Sequence, residues 1–104
     1  MPIVNLTPHT IHLPNLSIEP SGIVPRCSEK TVVVGNFEGV ELIGREYGKV
    51  SDMPELEQEM DTLYIVSMLV RQTLPHRKDI ASPGDLVRDE TGQIIGAKNL
   101  VVNI

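Results

Sequence analysis

The stretch Asp61-Thr-Leu-Tyr-Ile-Val-Ser67-Met-Leu-Val-Arg71-Gln-Thr-Leu-Pro75 is the densest apolar run of the 104-residue chain. Its first half, Leu63-Tyr64-Ile65-Val66, is short, β-branched and aromatic, which suits a strand buried on both faces. Then the period changes. Leu69, Val70, Thr73 and Leu74 recur at helical spacing, Ser67 stands where its hydroxyl can cap the first free N–H groups, and Pro75 stops the helix. A strand that turns directly into a short helix aims backbone donors and a positive dipole end outward, a seat for an anion, with Ser67 and Arg71 one turn apart.

Shorter β-rich runs surround this stretch. Ile3–Leu6 and Thr10–Leu13 read as strands separated by Thr7-Pro8, since proline brings no ladder donor. Pro14-Asn15 is a turn after which Leu16–Ile18 can pair back, and Pro20-Ser21-Gly22 is the next turn. Ile23–Cys27 reads as a short strand whose Pro25 puts it at an edge or bulge. Lys30–Val34 and Val40–Ile43 flank a connection, Gly35–Gly39, and form a hairpin that Glu46–Val50 can extend. Ser51–Asp61 carries five acids and no base and reads as a solvated loop, with a lid over the central strand and helix as its functional alternative. His76-Arg77-Lys78-Asp79 reads as a polar surface patch and Ala81–Asp85 as a loop. Leu86–Asp89 and Gln93–Ala97 flank the turn Glu90-Thr91-Gly92, in which Gly92 can take the left-handed conformation. Asn99–Val102 supplies a last strand.

These signals predict one domain spanning 1–104, mainly β (α+β), with six to eight short strands curled into a small barrel or roll and one short helix packed on it. Tyr64, Val66, Leu69, Val70, Leu74, Val87, Ile95 and Leu100 are the expected core.

Charge excludes some partners. The formal net charge is −5; residues 1–61 hold ten acids against four bases and residues 62–104 four against five. Neither half has the basic footprint of a phosphate-backbone binder, so no double-stranded nucleic acid is expected. With no Trp, one Phe and two Tyr, the chain lacks platforms for stacking single-stranded bases. Cys27 is the single cysteine, which rules out an internal disulfide and fits a reducing compartment. No stretch approaches the ~20 apolar residues of a membrane span, and the expectation is a soluble protein of the cytoplasm that does not engage membranes.

No nucleophile elbow, P-loop, dinucleotide fingerprint or zinc signature is present, and His9 and His12, three apart, would point to opposite faces of one strand. No metal, cofactor or catalytic residue is therefore assigned. The best constellation for a small anionic ligand joins Ser67, Arg71 and Arg88 to the loop residues Ser82 and Gly84, with His9, its direction fixed by Pro8, as a further candidate. The bland reading pairs Arg71 with Asp85 or Asp89 and leaves Arg88 an exposed strand residue.

Asn5-Leu6-Thr7-Pro8-His9, Pro20-Ser21-Gly22, Tyr47-Gly48-Lys49-Val50, Tyr64-Ile65-Val66-Ser67 and Val87-Arg88-Asp89-Glu90-Thr91-Gly92-Gln93-Ile94-Ile95-Gly96 resemble a group of small proteins of bacteriophages, prophages and bacteria. The resemblance spans nearly the whole chain. It implies a mobile-element setting inside a bacterial host cell and a single small domain, and brings no activity with it. By analogy with small phage-borne proteins, a host-defence inhibitor is expected, capturing either a nucleotide-like anionic ligand or a host protein. An interaction module that masks a host protein through a strand edge and the acidic segment, or a small enzyme acting on a nucleotide derivative, are the alternatives. Edge-like strands at both termini and a small core predict a homo-oligomer.

Overall fold

The computed structural model describes residues 2–55 and 61–104. The short runs become strands β1 (Ile3–Asn5), β2 (Ile11–Leu13), β3 (Leu16–Ile18), β4 (Arg26–Phe37), β5 (Val40–Ser51) and β6 (Leu63–Ile65), then helix α1 (Met68–Thr73), then β7 (Ile80–Pro83), β8 (Leu86–Arg88), β9 (Ile94–Ala97) and β10 (Leu100–Val102). Among the described residues the chain is mainly β with one short helix. Among the described residues the strands do not close into a barrel: they form a four-stranded sheet, ordered β1-β6-β7-β10, and three separate hairpins, β2-β3, β4-β5 and β8-β9.

As its composition predicts, β6 is central, parallel to β1 on one side and to β7 on the other. Tyr64, Ile65 and Val66 are buried. The bond from Val66 N–H to the Ala81 carbonyl, 2.8 Å, carries the pairing one residue past the strand. Ser67 then caps α1 in extended conformation, its hydroxyl accepting from Val70 N–H at 3.3 Å. The helix ends at Thr73, before Pro75. Leu6, Tyr64, Val66, Val70 and Ile80 form the core cluster, flanked by the partly buried Val4, Val50, Met53 and Leu74.

Several sequence expectations need correction. Residues 81–83 are not a loop but part of β7, an inner strand of the sheet, where Ile80, Ala81 and Ser82 are buried. Pro83 is tolerated because it ends that strand. Arg77 and Asp79 are not on a surface patch: their side chains are 9% and 3% exposed and joined by two hydrogen bonds of 2.8 Å. Ile23–Pro25 is not a strand, and β4 begins only at Arg26. Ile95 is 52% exposed rather than core, because β9 is covered on only part of its surface. Leu69, Val87 and Leu100 are half-buried. The acidic segment lies partly outside the described residues, at 56–60, so the lid expectation falls there; Met53, just before it, packs on the core.

The β4-β5 hairpin exceeds the sequence expectation most. Its connection is not the five residues 35–39 but two, Glu38 (φ 49°) and Gly39 (φ 83°), the paired left-handed conformations of a tight hairpin turn. Asn36 fastens it by accepting from Gly39 N–H at 3.0 Å. Two 12-residue strands follow, interrupted by irregularities at Ser28 and Val34. This arm makes the molecule extended: the radius of gyration is 16.4 Å, against about 13 Å for a compact 100-residue domain.

Candidate functional site

The junction of β6 and α1 meets β7 and the C-terminal segment at one corner. Arg71, one turn into the helix, donates from Nε to Ser82 Oγ at 2.8 Å and from Nη1 to Asn103 Oδ1 at 3.2 Å. Asn103 returns the contact: its amide donates to the carbonyls of Arg71, Leu74 and Arg77 at 3.0–3.3 Å. Arg71 is in the last turn of α1, Leu74 is its cap and Arg77 follows it, so one amide ties the helix end and the segment after it to the C-terminal residues. Ser67, Arg71 and Ser82 therefore gather as expected, but the side chain joining them to the rest of the fold is Asn103. Neither Asp85 nor Asp89 pairs with Arg71. With two neutral hydrogen-bond partners in a half-buried setting, Arg71 braces the helix against the sheet. Arg71→Ala is expected to lower stability by about 1–3 kcal/mol, read by denaturant unfolding, because Ser82 and Asn103 lose a charged partner.

Arg88 lies elsewhere. It is exposed and donates to the carbonyl of Gly92 at 2.8 Å, holding its own hairpin turn. Asp89 organises the same turn, one carboxylate oxygen accepting from Thr91 N–H, Thr91 Oγ1 and Gln93 N–H. These bonds, that from the Thr91 hydroxyl foremost, hold its carboxyl below the usual carboxylate range. Gly92, with φ +86°, takes the expected left-handed conformation.

Gly84 sits where the chain leaves β7. A Cβ there would collide with the Asn99 side chain, whose amide oxygen accepts from Asp85 N–H at 2.8 Å and whose nitrogen donates to Asp85 Oδ2 at 3.0 Å. Ser82, buried, and Gly84 thus bracket Pro83 as structural positions.

Pro83 faces a groove of about 590 Å³ between the β2-β3 and β8-β9 hairpins, walled by Ile11, Leu86, Ile94, Ile95 and Ala97, with His9 and His12 at its polar side. Two features set its shape. Gly96 lets β9 approach β2, since a Cβ there would stand 2.7 Å from the His12 carbonyl oxygen. Asn5, 1% exposed, fixes the loop that carries His9: its amide donates to the carbonyls of His9 (2.8 Å) and Ile18 (2.9 Å), while its oxygen accepts from Thr7 N–H and Thr7 Oγ1. The Asn5 carbonyl also accepts from Ser21 N–H at 2.9 Å. Asn5-Leu6-Thr7-Pro8-His9 and Pro20-Ser21-Gly22 therefore meet in space.

Sequence reasoning missed Asn5, Asn99 and Asn103 as the staples of the site region, and Leu86, Ile94 and Ile95 as a surface. An asparagine between apolar runs was the available signal for the first, because a strand-borne amide needs partners if it is buried. Among the described residues, no group of three or more His, Cys, Asp or Glu is placed to hold a metal, and no helix is long and apolar enough to cross a membrane. Comparison with protein-family models, with curated proteins and with solved structures finds no match for this chain.

Proposed function

We propose that the protein is a binding module of mobile-element origin that masks a bacterial host protein, with the groove between its β2-β3 and β8-β9 hairpins as the contact. The observation that carries this reading is the groove's chemistry. Its walls are mainly aliphatic, and the exposed Leu86, Ile94 and Ile95 stand together at its mouth. Contiguous apolar surface beside a preformed concavity favours apolar side chains of a partner. A phosphate-rich ligand would find few donors there.

Ile95→Glu tests the reading without disturbing the core, since Ile95 is half exposed. Peptides selected on the wild-type protein and counter-selected on Ile95→Glu are expected to carry spaced apolar residues and to lose binding at least tenfold on the variant. Equal recovery on both proteins would overturn the groove as the contact.

A second reading, capture of a small anionic nucleotide-like ligand at the Ser67–Arg71 corner, is supported by one detail: Arg71 Nη2 has no hydrogen-bond partner among the described residues. A panel of nucleotides should then raise the melting temperature of the wild type and not of Arg71→Ala. A flat response across the panel removes this reading and leaves the brace.

A further inference from the structure

The two edges of the four-stranded sheet are unlike. At β1 the edge is closed: Pro20 bridges to Asn5, and the Asn5 carbonyl accepts from Ser21 N–H. At β10 it is open, because β10 is the last strand and no strand or loop among the described residues bonds to its outer side. The alternation of an antiparallel ladder fixes which groups that side presents. Gly84 N–H donates to the Asn99 carbonyl at 2.9 Å, so the next bonded pair is Ser82 with Val101. Leu100 and Val102 stand opposite Pro83, which has no N–H, and Ala81, whose carbonyl is already taken by Val66 N–H. Their own N–H and C=O groups therefore point away from β7. Other edges are blunted, β9 by its bulge at Ile95 and β4 by irregularities at Ser28 and Val34. β10, Leu-Val-Val, has no charge, proline or bulge, and Val101 and Val102 are exposed.

We infer that the β10 edge pairs antiparallel with the same edge of a second copy, about a two-fold axis at Val101. A row of outward backbone donors and acceptors takes a strand, and charge selects the copy. Asn99, Val101 and Asn103 alternate to one face of the sheet, the face of their neighbours Gly84 and Ser82. At one end of that row the Asn99 amide holds Asp85, donating to its Oδ2 at 3.0 Å. At the other end Asn103 holds Arg71, whose guanidinium reaches past Ser82 toward the open edge and leaves Nη2 unbonded among the described residues. With the axis at Val101, position 99 of one copy falls opposite position 103 of the other. The acidic end of each row then meets the basic end of its partner, on the same face and twice over. A parallel pairing would set like ends together. Leu100 and Val102 exchange backbone bonds across the axis, Val101 faces its own copy as the close, unbonded pair, and the two four-stranded sheets become one. Three residues a side cover far less than a standard interface. The dimer is therefore reversible, with dissociation at about 10–100 μM.

This inference does not use the groove, and its test leaves the groove unaltered. Sedimentation of the full chain should show monomer passing to dimer between about 10 μM and about 1 mM. Over the same range, amide exchange at Leu100 and Val102 should slow at least about threefold, while that of Val101, already bonded to Ser82, should not change. Val102→Pro removes an outward N–H and spares the ladder to β7, so it should stay monomeric with the circular dichroism of the wild type. On a Cys27→Ser background, Val101→Cys should form a disulfide dimer on mild oxidation, since a close pair about 4.5 Å apart at Cα suits the bond. Val33→Cys, exposed on the β4-β5 arm, should not, and this comparison decides the matter if Val102→Pro does not fold. A wild type that remains monomeric at about 1 mM, a folded Val102→Pro dimer, or equal cross-linking from both cysteines overturns the pairing. Protection of Leu100 and Val102 only when a selected peptide is added would give the edge to a partner's strand and overturn it too. A monomeric wild type that still selects groove-binding peptides would remove this inference and keep the proposed function.

Discussion

Replacing Val66 with aspartate is expected to abolish soluble folding. Val66 is completely buried, and it packs with Leu6, Tyr64, Val70 and Ile80 at the point where the central strand hands over to the helix. Its backbone N–H is bonded to Ala81, so the side chain cannot turn outward without giving up the pairing of β6 with β7. No cation lies in that cluster to pair with a new carboxylate. An unpaired buried charge costs several kcal/mol, against a total stability on the order of 5–15 kcal/mol for a domain. With a core of so few fully buried side chains, the chain has little stability to lose. Soluble yield and thermal unfolding of Val66→Asp measure the effect, and a soluble variant with the wild-type melting curve would show that this position is not a core one.

Val66 was legible in the sequence because a change of period is a local signal: a β-branched run, a capping serine, helical spacing and a terminating proline stand in order within fifteen residues. The hairpins were legible for the same reason, through Asn15, Gly39 and Gly92. The length of the β4-β5 arm was not, because glycine at positions 35, 44 and 48 reads as punctuation. In the structure Gly35 and Gly44 lie within the ladder, and Gly48 leaves room for Ser28, whose Oγ would stand 2.6 Å from a Cβ there. β7 was hidden by Ser82-Pro83-Gly84, three turn-forming residues that here end an inner strand. At the candidate site, the expected gathering of Ser67, Arg71 and Ser82 followed from adjacency to the central strand. The role of Asn103 did not, because its partners are 26 to 32 residues away and no local pattern encodes so distant a bond.

Asp79→Asn is expected to lower stability at neutral pH by about 3–5 kcal/mol, the cost of breaking a buried pair by removing one charge. Arg77 and Asp79 meet through two bonds of 2.8 Å in the approach to β7. Arg77 also donates to the carbonyl of Pro54 at 3.1 Å, tying the start of the acidic segment to the sheet. The asparagine keeps the shape but leaves the guanidinium buried without its counter-charge. The hydrogen bonds from Arg77 hold the Asp79 carboxyl below the usual carboxylate range against the opposing effect of burial, and the pairing raises Arg77 in turn. A carboxyl whose pKa is lower in the folded than in the unfolded chain stabilises the fold above the unfolded value, about 3.9. That contribution is lost as pH falls through the folded value. The stability gap between wild type and Asp79→Asn should therefore be widest above about pH 5 and narrow as the solution is acidified below about pH 4. Arg77 stays charged throughout and adds no slope of its own. Urea unfolding of both proteins from pH 7 down to the acid limit of folding reads the gap directly, and a gap that is small at pH 7, or that does not narrow in acid, would show that the pair does not hold β7 in place.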